Sequence, residues 1–438
     1  MEILHGITKF DTTNKLVVAN DIAMDKINYY SELKGKVSRT HCREYLAIQD
    51  EYENSPISIR QTLRELEGYA LNNGYDGLHI VCEPTGVYSD LLLKTAHQLG
   101  HTTAYINGEV VHKAKVIENN DNSKDDIKDA RVIYMLAMMG KEQYYRTLPP
   151  EYQALRELNK LYSNADKDCV RAKDQIHAAL KKLFCYFPMG NSFIYSPSGN
   201  ALYDEYQLNP WKITADSYNL FSSKIRARLA KTKNFTYEKS LKKIYQAAKE
   251  SSLHLISLEV LTIIEQSYSF LLNDYKRATN RKMLLKKQFE DIYDNLIKTE
   301  MVIPLANEKI KAYNIARILG ETGPLSDFKS IKELEKYAGL NLRTRESGKF
   351  KGKLKLSKKG RAPLREILGK MVFGSIQHSR IFGEYYHKRK TEENISSAQL
   401  IAILERKLLK LLFGMAKNKE AFNNDKMINC ETQYNKVA

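Results

Sequence analysis

Leu155, Leu158, Tyr162, Ala165, Cys169, Ala172, Ile176, Ala179 and Leu183 follow one another at alternating steps of three and four residues. Such steps hold one apolar stripe along one side of a helix, so the segment predicts a long coiled-coil helix. A second seam runs Leu261, Ile264, Tyr268, Leu271, Tyr275, Ala278, slips, and resumes at Leu285, Phe289, Ile292 and Leu296. Between them CYFPMGNSFIYSPSGN, with Pro188, Gly190, Pro197 and Gly199, breaks the pattern near 186–200. Residues 146–300 are expected to be a helical coiled-coil region whose seams meet each other, pair between subunits, or belong to an ordinary bundle.

Ahead of this region, residues 1–145 read as alternating strands and helices, the pattern of an α/β sheet with ligands at its strand ends. ILHGITKFD and KLVVAND are strand candidates, and SPISIRQTLRELEGYALNNGY follows as a helix. GLHIVCE is a buried strand, GVYSDLLLKTAHQLG a helix ending at Gly100, TTAYING a strand and SKDDIKDARVIYMLAMMG a helix. After the coiled coil, residues 301–420 are mainly helical, with one exception: GKFKGKLKLSKKG alternates with period two. Lys349, Lys351, Lys353 and Lys355 would line one side of a ribbon, facing either a phosphate backbone or solvent. Residues 421–438 are polar and expected to be disordered.

The charge balance narrows the partners. Among 438 residues the net charge is +17, and residues 341–370 alone carry eleven Lys or Arg against Glu346 and Glu366. Polyanions are the natural ligands of such a surface. No apolar run approaches the ~20 residues of a membrane span, and the N-terminus lacks the pattern of a signal peptide, so a cytoplasmic, nucleoid-associated protein without membrane contact is expected. Five cysteines without a C-x-x-C pair speak against a disulfide framework or a zinc site.

The acids narrow the chemistry. In NSKDDIKDAR, Ser123 stands three residues before Asp126, as in a helix capping box. Capping needs one carboxylate, yet Asp126 and Asp129 share a helix face. Asp11 and Glu83 end two of the strand candidates, and an unpaired carboxylate closing an apolar run is costly. If those strands are neighbours, four carboxylates converge and require cations. An all-oxygen donor set points to Mg²⁺ or Mn²⁺, which suits phosphoryl transfer.

CEPTGVY followed by SKDDIKDA resembles the E-[AP]-T-G-V-Y and K-T-D-x-x-D-A signatures of the DEDD transposases, the IS one-ten insertion-sequence family. FKSIKELEKYAGL and RESGKFKGKLKLSKKGRAPLR resemble that family's C-terminal transposase domain, where Y-A-G-L precedes an S-G pair and a basic S-K-x-G segment. The resemblance implies an RNase H-like (RuvC-like) α/β N-terminal domain, a central helical coiled coil, and a mainly α C-terminal domain with a small β ribbon. It further implies a divalent-metal site at Asp11, Glu83, Asp126 and Asp129, and a nucleophilic serine at Ser347, with Ser357 as a rival. The family's first acid follows Gly-Ile, where this chain has Gly6-Ile7-Thr8; Asp11 is preferred because DTTNKLVVA matches what normally comes next. Implied partners are double-stranded donor and target DNA, a structured guide (bridge) RNA, and further copies of the chain as a homodimer or homotetramer. Arg345, Lys349, Lys351, Lys353, Lys355, Lys358, Lys359, Arg361 and Arg365 are the candidate phosphate contacts. The reading is a transposase that cuts and rejoins DNA. Its alternatives are a junction-resolving endonuclease using the acids alone, and a decayed element protein that only binds nucleic acid.

Overall fold

A computed structural model describes residues 3–4, 7–8, 14–37, 43–119, 126–254, 256–299, 303–306, 310–343, 346–347, 350–351 and 355–419. The chain divides into two units. One takes Met1–Pro149 with Phe328–Ala362, and the other Pro150–Asp327 with Pro363–Ala438. The segment carrying the lysine ribbon therefore groups with the N-terminal unit and not with the helices that follow it in sequence.

The first unit is built on strands β1 (Leu16–Ile22), β2 (Lys26–Val37), β3 (Arg43–Glu53), β4 (Leu78–Cys82), β5 (Thr102–Tyr105) and β6 (Gln143–Tyr144). Their order in the sheet is β3-β2-β1-β4-β5-β6. An antiparallel meander, β1 to β3, joins strands β4 and β5 that run parallel to β1. That is the strand order of an RNase H-like domain, as expected. Helices α1 (Pro56–Asn72) and α2 (Val87–Gln98) cover one face, burying Ile59, Leu63, Leu92 and Leu93 with Leu16, Val18 and Ile80. On the other face α4 (Asp126–Met138) and α3 (Gly108–Asn119) bury Val111, Ala130 and Ile133 with Ala19, Tyr30, Val81 and Ala104. Helix α1 starts where the sequence says it should: Ser55 Oγ accepts the Ser58 N–H and Pro56 fills the first turn.

Two features depart from the sequence expectation. Strands β2 and β3 occupy residues that the hydrophobic pattern passes over: polar side chains are buried within β2, and the described side chains of β3 are exposed or half-buried. Asn28 and Ser31 are buried in β2, and Ser31 Oγ is satisfied by donating to Val17 O at 2.7 Å. Of ILHGITKFD, only Ile3–Leu4 and Ile7–Thr8 are among the described residues, and these lie outside the six-stranded sheet. They pair with each other instead.

The rest of this unit is α12 (Ile331–Ala338) and a ribbon of four short strands, β7 (Leu342–Arg343), β8 (Glu346–Ser347), β9 (Phe350–Lys351) and β10 (Lys355–Leu356). β7 pairs with β10 and β8 with β9, antiparallel. Residues 344–345 and 352–354, between the two ladders, lie outside the described residues. At its base the ribbon is clamped to α12: Ser357 N–H donates to Asn341 O, Lys358 N–H to Gly339 O and Arg361 N–H to Tyr337 O. A Cβ on Gly360 would stand 2.4 Å from Gly339 N, so the S-K-x-G segment packs against the Y-A-G-L segment only with glycine at 360.

The second unit contains α5 (Pro150–Leu183), α6 (Pro197–Tyr206), α7 (Pro210–Ala215), α8 (Tyr218–Lys231), α9 (Glu238–Ser251), α10 (Leu258–Thr299), α11 (Ala312–Thr322), α13 (Ala362–His378), α14 (Arg380–Glu392) and α15 (Ser397–Asn418). The two seams meet within one chain. α5 buries Leu155, Tyr162, Ala165, Cys169, Ala172 and Ile176, and α10 buries Tyr268, Ala278, Leu285, Phe289 and Leu296. Tyr162 and Phe289 meet edge to face at 6.1 Å. Helices α6 to α9, inserted between the seams, share a core with the far end of the pair through Leu202, Phe221, Ile225, Leu241 and Ile244 against Ile176, Leu180 and Leu272. Among the described residues no helix is long and apolar enough to cross a membrane.

Between α13 and α15, Glu405 fills the space opened by Gly369, where a Cβ would stand 2.9 Å from its Oε1. Burial pushes the Glu405 carboxyl up to about 7, against the pull of Arg365. A carboxyl raised on folding binds its proton more tightly in the native state, so the stability it contributes falls as pH rises from the unfolded value toward 7. Glu405→Gln is expected to raise the thermal midpoint at pH 8 and to change it much less at pH 5, as followed by circular dichroism.

Candidate active site

Asn20 on β1 stands opposite Cys82 on the parallel strand β4. Both point to the α1 side, where Tyr52 donates to Asn20 Oδ1 at 3.1 Å and Cys82 joins the core. Side chains alternate along strands, so Asp21 within β1 and Glu83, one residue past the end of the adjacent parallel strand β4, are expected on the α4 side of the sheet. Asp129, one turn into α4, faces the same layer. Its carboxylate is 15% exposed and accepts from Lys115 Nζ of α3 at 2.5 Å. Glu83 reaches the start of α3: a Cβ on Gly108 would stand 2.1 Å from its Oε1. Burial raises the Glu83 acid; Lys115 and His112 oppose that shift and Asp129 adds to it, so each of the three lies within electrostatic range of Glu83.

Asp11 lies outside the described residues, as do Ser123 and Asp125. Asp126 begins α4, with its side chain also outside them. Asp21 was missing from the sequence reading, although the signal was present: it ends the apolar run KLVVAND just as Glu83 ends GLHIVCE. Lys115 and Gly108 carried no such signal, because a lysine and a glycine on a helix are ordinary until the fold sets them against carboxylates.

Arg345, Lys349 and Lys353 lie outside the described residues, and Ser347 and Lys351 are described only as backbone of the ribbon. Lys355 and Lys358 are exposed. Lys359 Nζ pairs with Glu109 Oε2 at 3.2 Å, beside the glycine against which Glu83 rests. Arg361 belongs to the ribbon clamp, whereas Arg365 lies in the second unit near Glu405. Ser357 Oγ accepts the Lys359 N–H at 3.2 Å.

Asp21, Glu83 and Asp129 offer only hard oxygen donors, which fits a divalent cation such as Mg²⁺ or Mn²⁺. Among the described residues no three His, Cys, Asp or Glu side chains are gathered tightly enough to hold an ion, and Lys115 supplies the countercharge at Asp129.

Residues 44–185 match a family model described as Transposase, for DEDD transposases of the IS110 type. Residues 310–387 match that of the Transposase IS116/IS110/IS902 family, so the two matches together take in half the chain. The chain belongs to the IS110 transposase family. No curated protein matches it. One matching solved structure, titled "Thermus thermophilus RuvC structure", is 12% identical over 29% of this chain and 98% of that one, with a TM-score of 0.21. That score is too low to argue from, and the RNase H-like fold of the IS110-family transposase is read from its own strand order. Its substrate is DNA, in keeping with the excess of basic residues. Glu83 and Asp129 fall inside the first matched region and Ser347 inside the second, while Asp21 precedes the first.

Gly108→Ala tests the berth of Glu83. The added methyl meets only the far end of a flexible side chain, so the fold is expected to keep its thermal midpoint while Glu83 is displaced. A misplacement of about 1 Å at a reacting centre costs on the order of 10²-fold in rate. DNA cleavage should drop by about that factor, with stability unchanged.

Proposed function

We propose that this IS110-family transposase cuts and rejoins DNA with a serine nucleophile assisted by a divalent-metal site. Support comes from the register that pairs Asn20 with Cys82, which brings Asp21 and Glu83 to the ends of adjacent strands, and from Asp129 lying within electrostatic range of Glu83. The site would be formed by Asp21, Glu83, Asp126 and Asp129, with Asp21 in the role first given to Asp11. A bound Mg²⁺ or Mn²⁺ would neutralise charge on the scissile phosphate.

The chain's own contribution is positional. The ribbon belongs to the same unit as the sheet, and the Lys359–Glu109 pair holds its base beside the end of α3 that cradles Glu83. Ser347 lies next to Gly348, where DNA can approach closely. Ser357 is the weaker candidate because its amide serves the ribbon clamp and its hydroxyl accepts the Lys359 N–H. In the proposed step the Ser347 hydroxyl attacks phosphorus, its proton passing to a neighbouring carboxylate. The bond to the leaving strand oxygen breaks, that oxygen takes up a proton, and the phosphoserine retains the bond energy for rejoining. Guidance by a structured RNA and assembly as a dimer or tetramer on donor and target DNA are proposed on family membership alone.

Ser347→Ala separates this reading from a junction-resolving endonuclease that uses water. Strand transfer on labelled duplex DNA is expected to fall by about 10³-fold or more, with Mn²⁺ binding unchanged. Cleavage at the parental rate would sink the serine mechanism. A decayed protein would have lost its first acid, and the register that brings Asp21 and Glu83 to the ends of adjacent strands favours the active reading.

A further inference from the structure

Residues 186–309 fall between the two family-matched regions, and within them the inserted helices α6 to α9 carry an unexplained surface. The turn between α8 and α9 reads KTKNFTYEKSLKK over residues 231–243, with five lysines against one glutamate. Phe235 is 74% exposed and Tyr237 70%, with ring centroids 5.5 Å apart and planes at 83°.

The turn is firmly built. Thr232 N–H and Asn234 N–H both return to Leu229 O, and Asn234 Nδ2 donates to the Thr232 carbonyl and hydroxyl, each at 3.0 Å. Lys233 adopts φ 55°, the left-handed conformation that closes the helix end. Glu238 at the start of α9 accepts from Tyr218 and Arg226 of α8, tying the two helices together. Beneath them Leu229, Leu241 and Ile244 are buried. The one acid of the turn is thus engaged. Among the described residues no carboxylate lies within ion-pair distance of Lys231, Lys233, Lys239 or Lys243.

We infer that this turn is a binding site for single-stranded nucleic acid, in which Phe235 and Tyr237 stack on unpaired bases while the lysines take the adjoining phosphates. Two exposed rings with apolar faces call for a flat apolar partner, and the surrounding lysines call for an anionic one. Unpaired nucleotides meet both demands at once. A duplex hides its base faces, and protein interfaces are depleted in lysine. The stacking chemistry is shared by RNA and DNA.

The test uses the full-length protein and fluorescein-labelled 20-mers of oligouridylate, oligothymidylate and a duplex of the same length, at several salt concentrations. Phe235→Ala with Tyr237→Ala is expected to weaken single-strand binding about tenfold per ring, with duplex affinity and thermal midpoint unchanged. Lys233→Ala with Lys239→Ala should flatten the single-strand salt slope by about 0.7 per lysine. Phe235→Trp should retain affinity and add a quenching signal, over that of Trp211, when the single strand binds. The ratio of oligouridylate to oligothymidylate affinity assigns the site to RNA or to DNA. Unchanged single-strand affinity in the double aromatic variant, equal losses on the duplex, or a loss confined to phosphatidylserine vesicles would each overturn the inference. The acidic site is not involved in this readout, so the inference and the proposed function fail separately.

Discussion

Asp21→Asn is expected to abolish DNA cleavage, and Asp11→Asn to leave it near the parental rate. Asp21 lies near the end of β1, one residue after Asn20, which pairs with Cys82 just before Glu83, whereas Asp11 lies outside the described residues and Ile3–Leu4 and Ile7–Thr8 pair with each other outside that sheet. Removing one ligand charge from a metal-assisted phosphoryl transfer sacrifices several kcal/mol of transition-state stabilisation, about 10³-fold in rate or more. Glu83→Gln should match Asp21→Asn in magnitude. Paramagnetic Mn²⁺ titration provides a second readout, weakened in both variants and unaltered in Asp11→Asn. Full activity of Asp21→Asn, with loss in Asp11→Asn, would return the first acid to the N-terminal segment.

The largest loss of stability is expected from Asn159→Leu. Asn159 lies inside the joint between α5 and α11: its Nδ2 donates to Arg317 O at 2.7 Å and Glu321 Oε1 at 3.0 Å, and its Oδ1 accepts from Arg317 Nε at 3.2 Å. Arg317 and Glu321 are 5% and 2% exposed, and the Arg317 guanidinium stacks on Tyr162 at 4.4 Å. Gly320 opposite leaves no room for rearrangement, since a Cβ there would stand 2.8 Å from the Leu155 backbone. Leucine fills the volume of asparagine and satisfies none of these groups, leaving buried polar atoms and a charge without their bridge. Such losses cost about 3–5 kcal/mol. In a unit of this size that corresponds to a thermal midpoint lower by roughly 10 °C. A shift under about 2 °C in differential scanning calorimetry would show that the network is dispensable.

Seen from these residues, the divide between sequence and structure follows the range of the forces involved. Periodicity is local, so the heptad seams at 155–183 and 261–296, the buried strand before Glu83 and the helix carrying Asp129 could all be read along the chain. Asn159 could not: inside a heptad pattern it looks like a surface polar residue, and only the arrival of α11 buries it. Strand β2 escaped because the buried polar residues Asn28 and Ser31 break the alternation that marks a strand, and Ser31 Oγ finds its partner, Val17 O, only on the neighbouring strand.

By itself the sequence determined the family, through short motifs whose spacing survives on single helices and strands, and the existence of two long helices, through an apolar stripe that no other local structure can bury. Tertiary structure alone decided that the two seams pair within one chain, that the ribbon is clamped to the Y-A-G-L turn, and that the strand carrying Asp21 lies beside the strand that precedes Glu83. Each of these depends on which strand or helix lies alongside another. That choice is made by long-range hydrogen-bond register and by burial shared across segments far apart in the chain, and no local pattern of residues records it.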